Sequence, residues 1–181
     1  MPVIMYFDDC LRMIDDQKFE DLIRLARQAN LFYLTNRGEI PLYREQGVNA
    51  RFITGGCDPD AHYPVSSPPD IYHSKVAFVG KPNTPERVTF LRQVDQKFDL
   101  KIWGSGWAEM GLQSHAAHVY APEYRKICAG AKIVLGWNVD SSLDLYFSNR
   151  TWYTLACGGF LLTHYSPRLE ELFNPGGELD W

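Results

Sequence analysis

The sequence predicts an α/β fold, a parallel sheet with flanking helices, and three observations predict it. Short apolar runs alternate with amphipathic segments along most of the 181 residues, which is the pattern of repeated βαβ units. The apolar runs of the second half end in glycine, at Val79-Gly80, Trp103-Gly104 and Leu135-Gly136. The stretch from Ser148 to Thr163 reads as a helix that stops at Gly158-Gly159 and passes straight into Phe160-Leu161-Leu162, an apolar strand of the kind covered on both faces.

The elements follow in order. Residues 2–7 form a strand, with Asp8-Asp9 at its end. Asp15-Asp16 precede Phe19, Leu22, Ile23, Leu25 and Ala26 at helical spacing. Residues 31–34 are a second strand, and Thr35-Asn36-Arg37-Gly38 turns into a helical segment through Leu42 and Tyr43. Residues 50–53 are a third strand, closed by Gly55-Gly56. Prolines 59, 64, 68 and 69 then break the pattern. Each fixes its own backbone and restricts the residue before it, so the segment reads as an extended linker. The expected division is therefore residues 1–56, a linker at 57–73, and residues 74–181.

Beyond the linker the alternation restarts with a strand at 76–79. Thr84 is placed to cap a helix that has Pro85 at its first position and Val88, Leu91 and Val94 on one face. Then come a strand at 100–103, a helix at 122–129 with Tyr124, Ile127 and Cys128 inward, and a strand at 133–135. Ser148 or Asn149 caps the helix that runs into Gly158-Gly159, and a short helix is expected at 167–173.

Composition narrows the function classes. A net charge of -4 argues against a general nucleic-acid binder, which needs a basic surface. The four cysteines (Cys10, Cys57, Cys128, Cys157) have no CxxC spacing, so neither a zinc site nor a disulfide framework is indicated and a cytoplasmic setting is expected. No apolar run reaches the roughly 20 residues of a membrane span. There is no Walker loop and no dinucleotide fingerprint, because Gly104-Ser105-Gly106 is followed by Trp, Ala and Glu. No motif for a resident metal or cofactor is present. A phosphorylated-receiver fold is disfavoured, since Asp8-Asp9 lacks a matching Asp and Lys at later strand ends.

Ligands of open parallel sheets bind beyond the carboxyl ends of the strands. Those ends carry Gly80-Lys81, Gly104-Ser105-Gly106-Trp107, Gly136-Trp137-Asn138 and Thr163-His164. Arg87 and Arg150 sit at the starts of two expected helices, where a cation opposes the helix dipole unless an anion is also present. Together they point to a bound phosphate. Glu170 and Glu171 are candidates for hydroxyl contacts.

Residues 76–181 resemble the carboxyl-terminal domain of CgeB-like glycosyltransferases. The blocks that carry the resemblance are Phe78-Val79-Gly80 with Arg87, Trp103-Gly104-Ser105-Gly106-Trp107, Asn138, Asn149-Arg150, residues 156–163, and residues 169–173 with Gly176-Gly177-Glu178. Residues 1–56 are similar to the last strand–helix units of that family's amino-terminal domain. The resemblance implies a GT-B fold, two Rossmann-like domains of which this chain would hold pieces truncated at both ends. It implies a nucleotide-diphosphate sugar as donor substrate, no cofactor, no metal, and transfer to an unknown acceptor. Carried over, Gly80, Arg87, Ser148, Asn149 and Arg150 would meet the diphosphate. Gly104, Gly106, Trp107, Asn138, Tyr153, Gly158, Gly159, Glu170 and Glu171 would line the nucleoside and sugar. Tyr153 and Leu145 depart from the pattern, standing where many such enzymes have the glutamates that hold the donor. That departure supports an alternative, a binding module that has lost donor chemistry, and the fragment is expected to be inactive alone.

Overall fold

A computed structural model describes residues 1–11, 14–177 and 179–181. Glu178, part of the last resemblance block, lies outside the described residues. The chain divides into two compact units. The first comprises Met1–Gly55, Asn138–Phe147 and Tyr165–Leu172, and the second Gly56–Trp137, Ser148–His164 and Phe173–Trp181.

The first unit is built on a parallel sheet ordered β1 (Ile4–Phe7), β2 (Leu31–Leu34), β3 (Ala50–Phe52). Helix α1 (Asp16–Ala26) joins β1 to β2, and α2 (Ile40–Glu45) joins β2 to β3. Asp15 caps α1 by accepting a hydrogen bond from the Lys18 amide at 2.9 Å. Ile23 and Ala26 of α1 then pack on Phe32, Leu34, Tyr43 and Ala50 as one buried cluster. Two later segments complete this unit. The amides of Arg37 and Gly38 both donate to the Asp144 carbonyl, at 2.8 and 3.2 Å. A side chain on Gly38 would press on Leu143 and Asp144. Tyr146 donates its hydroxyl to Asp9 at 3.0 Å, and Leu145 is fully buried with a left-handed φ of +52°.

Glu39 is a buried carboxylate in this unit. Its oxygens accept from the Leu11 amide at 2.8 Å and the Asn36 side-chain amide at 3.2 Å. Burial raises its pKa above the ordinary glutamate value; those two donors pull it back, and the nearby Asp140 and Asp9 charges push it further up. The unfolded chain therefore releases this proton at lower pH than the folded one. Its contribution to stability is present below the ordinary glutamate value and is lost as pH rises through the raised folded value. Glu39→Gln is expected to remove this loss. Urea unfolding of both proteins across the acid-to-neutral range should show the variant gaining on the wild type as pH rises.

The second unit carries a parallel sheet ordered β5 (Leu100–Trp103), β4 (Ser74–Val79), β6 (Ala131–Leu135), β7 (Leu161–Leu162), β8 (Leu179–Asp180). Helices α3 (Pro85–Asp95), α4 (Ala121–Gly130) and α5 (Arg150–Ala156) connect β4 to β5, β5 to β6 and β6 to β7. Val88 and Leu91 of α3 pack on Phe78 and Ile102 in one cluster, while Tyr124, Ile127 and Cys128 of α4 pack on Ala77 and Val134 in another. Side chains that alternate along β4 thus feed two separate cores, which is why it is apolar from Val76 to Val79.

Residues 61–64, expected within an extended linker, are held against α4 and α5. Arg125 donates to the Ala61 carbonyl at 2.9 Å and its guanidinium lies 4.0 Å from the Tyr63 ring centroid. His62 stacks on Tyr153 at 4.3 Å with planes 9° apart. Two other expectations are corrected. Phe160 precedes β7 and is exposed, so the covered strand is only Leu161–Leu162. The helix expected at 167–173 is a 3-10 turn at Leu169–Glu171, because Arg168 before it takes a left-handed φ of +67°. Among the described residues no helix is long and apolar enough to cross a membrane.

Candidate functional site

The connection from β4 runs to β5 on one side, and the chain then returns past β4 to β6 on the other. This reversal falls between β4 and β6, and the carboxyl ends of strands at such a reversal are where ligands bind in such sheets. Several of the expected residues meet there.

Gly80 ends β4. Its amide donates to the Trp103 carbonyl at 2.9 Å, and its carbonyl accepts from the Trp107 indole at 2.7 Å. Gly104 has φ +135°, and a side chain on it would land on that same Gly80 carbonyl. Gly106, at φ +89°, faces Pro82, 3.2 Å from where its Cβ would lie. These glycines therefore let the loops after β4 and β5 lie directly on one another.

Arg87 enters from the first turn of α3. Thr84 caps that turn as expected, accepting from the Arg87 amide at 3.3 Å. The Arg87 side chain is almost wholly buried, donates to the Lys81 carbonyl at 2.6 Å, and lies 5.7 Å from the Phe78 ring centroid. Arg150 enters from the other side, at the start of α5. One of its terminal nitrogens lies 3.9 Å from the point a Gly80 side chain would occupy. Two guanidinium groups, brought by helices on different connections, thus converge on Gly80-Lys81. This is the arrangement that makes a local positive field in an acidic chain.

The turn before α5 is organised by Ser148, whose hydroxyl accepts from the Arg150 amide at 3.3 Å. Asn149 makes no side-chain capping bond. The far end closes as expected. Gly158 takes φ +74°, and the amides of Gly158 and Gly159 return to the Leu155 and Thr154 carbonyls, both at 3.0 Å. That pair of bonds is a Schellman closure. A side chain on Gly159 would meet Thr154 and Cys128 at 3.0 and 3.1 Å, so its small size sets the packing of α5 on α4.

Other expected contacts are engaged elsewhere. The Trp107 ring is fully buried, edge-on to Phe78 at 5.8 Å, so it braces Gly80 from within the core rather than offering a face for stacking. Tyr153 spends one face on His62 and is edge-on to Tyr124 at 6.4 Å. Asn138, Glu170 and Glu171 belong to the first unit. There Asn138 donates to Ser166 at 3.2 Å, Glu170 accepts from Tyr165 at 3.1 Å, and Glu171 pairs with Arg37 at 2.6 Å and Arg168 at 3.0 Å. The two arginines lower the Glu171 carboxyl below its ordinary value. Trp137 and His164, placed at strand ends by the sequence but given no contact there, have rings that meet at 4.2 Å after β6 and β7. Their strand-end positions were the one signal available.

A family model described as glycosyl transferase-like matches residues 87–181. Solved structures share the fold, among them the following two. Sucrose-phosphate synthase from Thermosynechococcus elongatus is 13% identical with a TM-score of 0.62, the match covering 95% of this chain and 50% of that one. Anabaena Alr3699/HepE, solved in complex with UDP-glucose, is 13% identical with a TM-score of 0.67, covering 97% of this chain and 56% of that one. The chain thus spans about half the length of either structure. A search of curated proteins gives no match.

Proposed function

The chain belongs to the glycosyl transferase-like family, and from that premise we propose that its second unit binds the diphosphate of a nucleotide sugar for metal-independent transfer to an acceptor. The observation that carries this reading is the convergence of Arg87 and Arg150 on Gly80-Lys81 at the topological reversal of the sheet. A departing nucleoside diphosphate accumulates negative charge as the glycosidic bond breaks. Fixed guanidinium groups meet that charge without reorganising, which is the largest electrostatic contribution available to such a reaction. UDP-glucose, held by the HepE structure, is the natural first donor to try. The CgeB-like subgroup is our assignment within the family, resting on the blocks at 103–107 and 156–163.

The stacking of Tyr153 on His62 favours a second reading. A tyrosine so engaged cannot hold two donor hydroxyls as a glutamate does, and a module that binds without transferring would carry this change. Thermal shift with UDP-glucose, GDP-mannose, ADP-glucose and TDP-glucose tests binding, and release of the nucleoside diphosphate tests transfer. A donor at about a hundred times its Kd adds about 2.7 kcal/mol, or roughly 5–10 °C for a domain of this size. Arg150→Ala is expected to abolish the shift. Binding without release of the diphosphate supports the second reading, and no shift with any of the four overturns both.

A further inference from the structure

Two aromatic rings and an imidazole touch in series after the carboxyl ends of β6 and β7. Phe90 of α3 lies 5.3 Å from the ring of Trp137, and Trp137 meets His164 at 4.2 Å with the planes 62° apart. Trp137 follows β6 and His164 follows β7, so both rings stand at carboxyl ends of adjacent strands. His164 is half-buried. The charged group acting on it from α3 is Arg87; β6 presents the uncharged Trp137.

We propose that His164 is a further contact for the donor diphosphate, and that it takes a proton from solvent as the diphosphate settles beside Arg87. The inference rests on the donor-binding reading above and adds a titratable group to it. In the free protein, burial first and the Arg87 charge second hold the imidazole below its ordinary pKa, because a second cation in a half-dehydrated pocket is unfavourable. A diphosphate reverses both effects. It neutralises the field of Arg87 and offers its own oxygens as acceptors, so the protonated ring becomes the favoured form. The edge contact with Trp137 holds the imidazole in place for that bond rather than leaving it to swing in solvent.

Calorimetric titration of the full chain tests this with UDP-glucose, or with whichever of the other three sugar nucleotides gives the larger thermal shift. The diphosphate of a sugar nucleotide does not itself titrate near neutral pH, so any proton taken up comes to the protein. Repeating the titration in buffers of different ionisation heat reads the proton count directly. The wild type is expected to take up a substantial fraction of a proton near neutrality. Its affinity is expected to fall about tenfold across the pH range that deprotonates the bound imidazole, the effect of a pKa raised by about one unit on binding. His164→Gln should bind more weakly at acid pH, with no proton uptake and a flat profile. His164→Lys, always charged, should bind with no uptake at any of these pH values. Wild-type binding without uptake, or uptake that persists in His164→Gln, overturns the inference and leaves the donor reading standing. Wild-type failure to bind any of the four overturns the donor reading and this inference with it.

Discussion

Gly104→Ala is expected to destabilise the second unit by at least about 3 kcal/mol, at or beyond the upper end of what single substitutions usually cost. Two costs add. At φ +135° an L-residue is strained wherever it has room. Here it also has no room, because the new methyl would land on the Gly80 carbonyl and lie 2.8 Å from its carbon. That carbonyl cannot simply retreat. It accepts from the buried Trp107 indole, and the Gly80 amide is held by Trp103. The end of β4 would have to leave β5, taking the Arg87 anchor at Lys81 with it. Gly111→Ala is the matched control, with φ +71° and nothing within 4 Å of the added methyl; it should cost about 1–2 kcal/mol from backbone strain alone. Amide hydrogen exchange along β4 and β5 separates the two, since it reads the second unit without assuming that both units melt together. Equal protection in both variants would show that the two loops do not touch as described.

The parts of this fold that were legible in the sequence are those decided by neighbouring residues. Thr84-Pro85 announces the start of α3 because a cap and a proline at the first helical position act within one turn. Gly158-Gly159 announces the end of α5 because the left-handed closure needs a residue without a Cβ penalty. The convergence of Arg87 and Arg150 was legible only in part. Both were marked as cations at helix starts, but that their side chains turn to the same glycine depends on the sheet order β5-β4-β6. What was not legible is long-range. Trp107 was expected to line the nucleoside, yet its indole bonds a carbonyl 27 residues earlier and its ring fills the core. Residues 138–147 and 165–172 carry local patterns no different from the rest of the second half, and they group with the amino-terminal sheet through bonds such as Arg37 to Asp144 and Arg37 to Glu171. The Trp137–His164 contact joins two strand ends that are neighbours only because β6 pairs with β7.

Arg87→Met should separate stability from donor binding. A guanidinium that is 1% exposed gives up hydration worth several kcal/mol, so its presence is a cost to the free protein that the Lys81 and Phe78 contacts offset. Methionine follows much the same path through the core, keeps contact with the Phe78 ring, and removes the charge. Lys81 is exposed, so water can take over its carbonyl. The free variant is therefore expected to melt at the wild-type temperature or above it. Donor binding should behave oppositely. Losing one charge-assisted contact to a diphosphate costs about 2–5 kcal/mol, which is a weakening of at least about thirtyfold. Arg87→Lys should fall between the two, since it keeps the charge but not the fork that holds Lys81 and a phosphate oxygen together. Thermal melts without ligand and calorimetric titration with the sugar nucleotide measure the two effects independently. A variant that melts lower yet binds as the wild type would make Arg87 a structural brace, and would leave the donor-facing positive charge beside Gly80 to Arg150 alone.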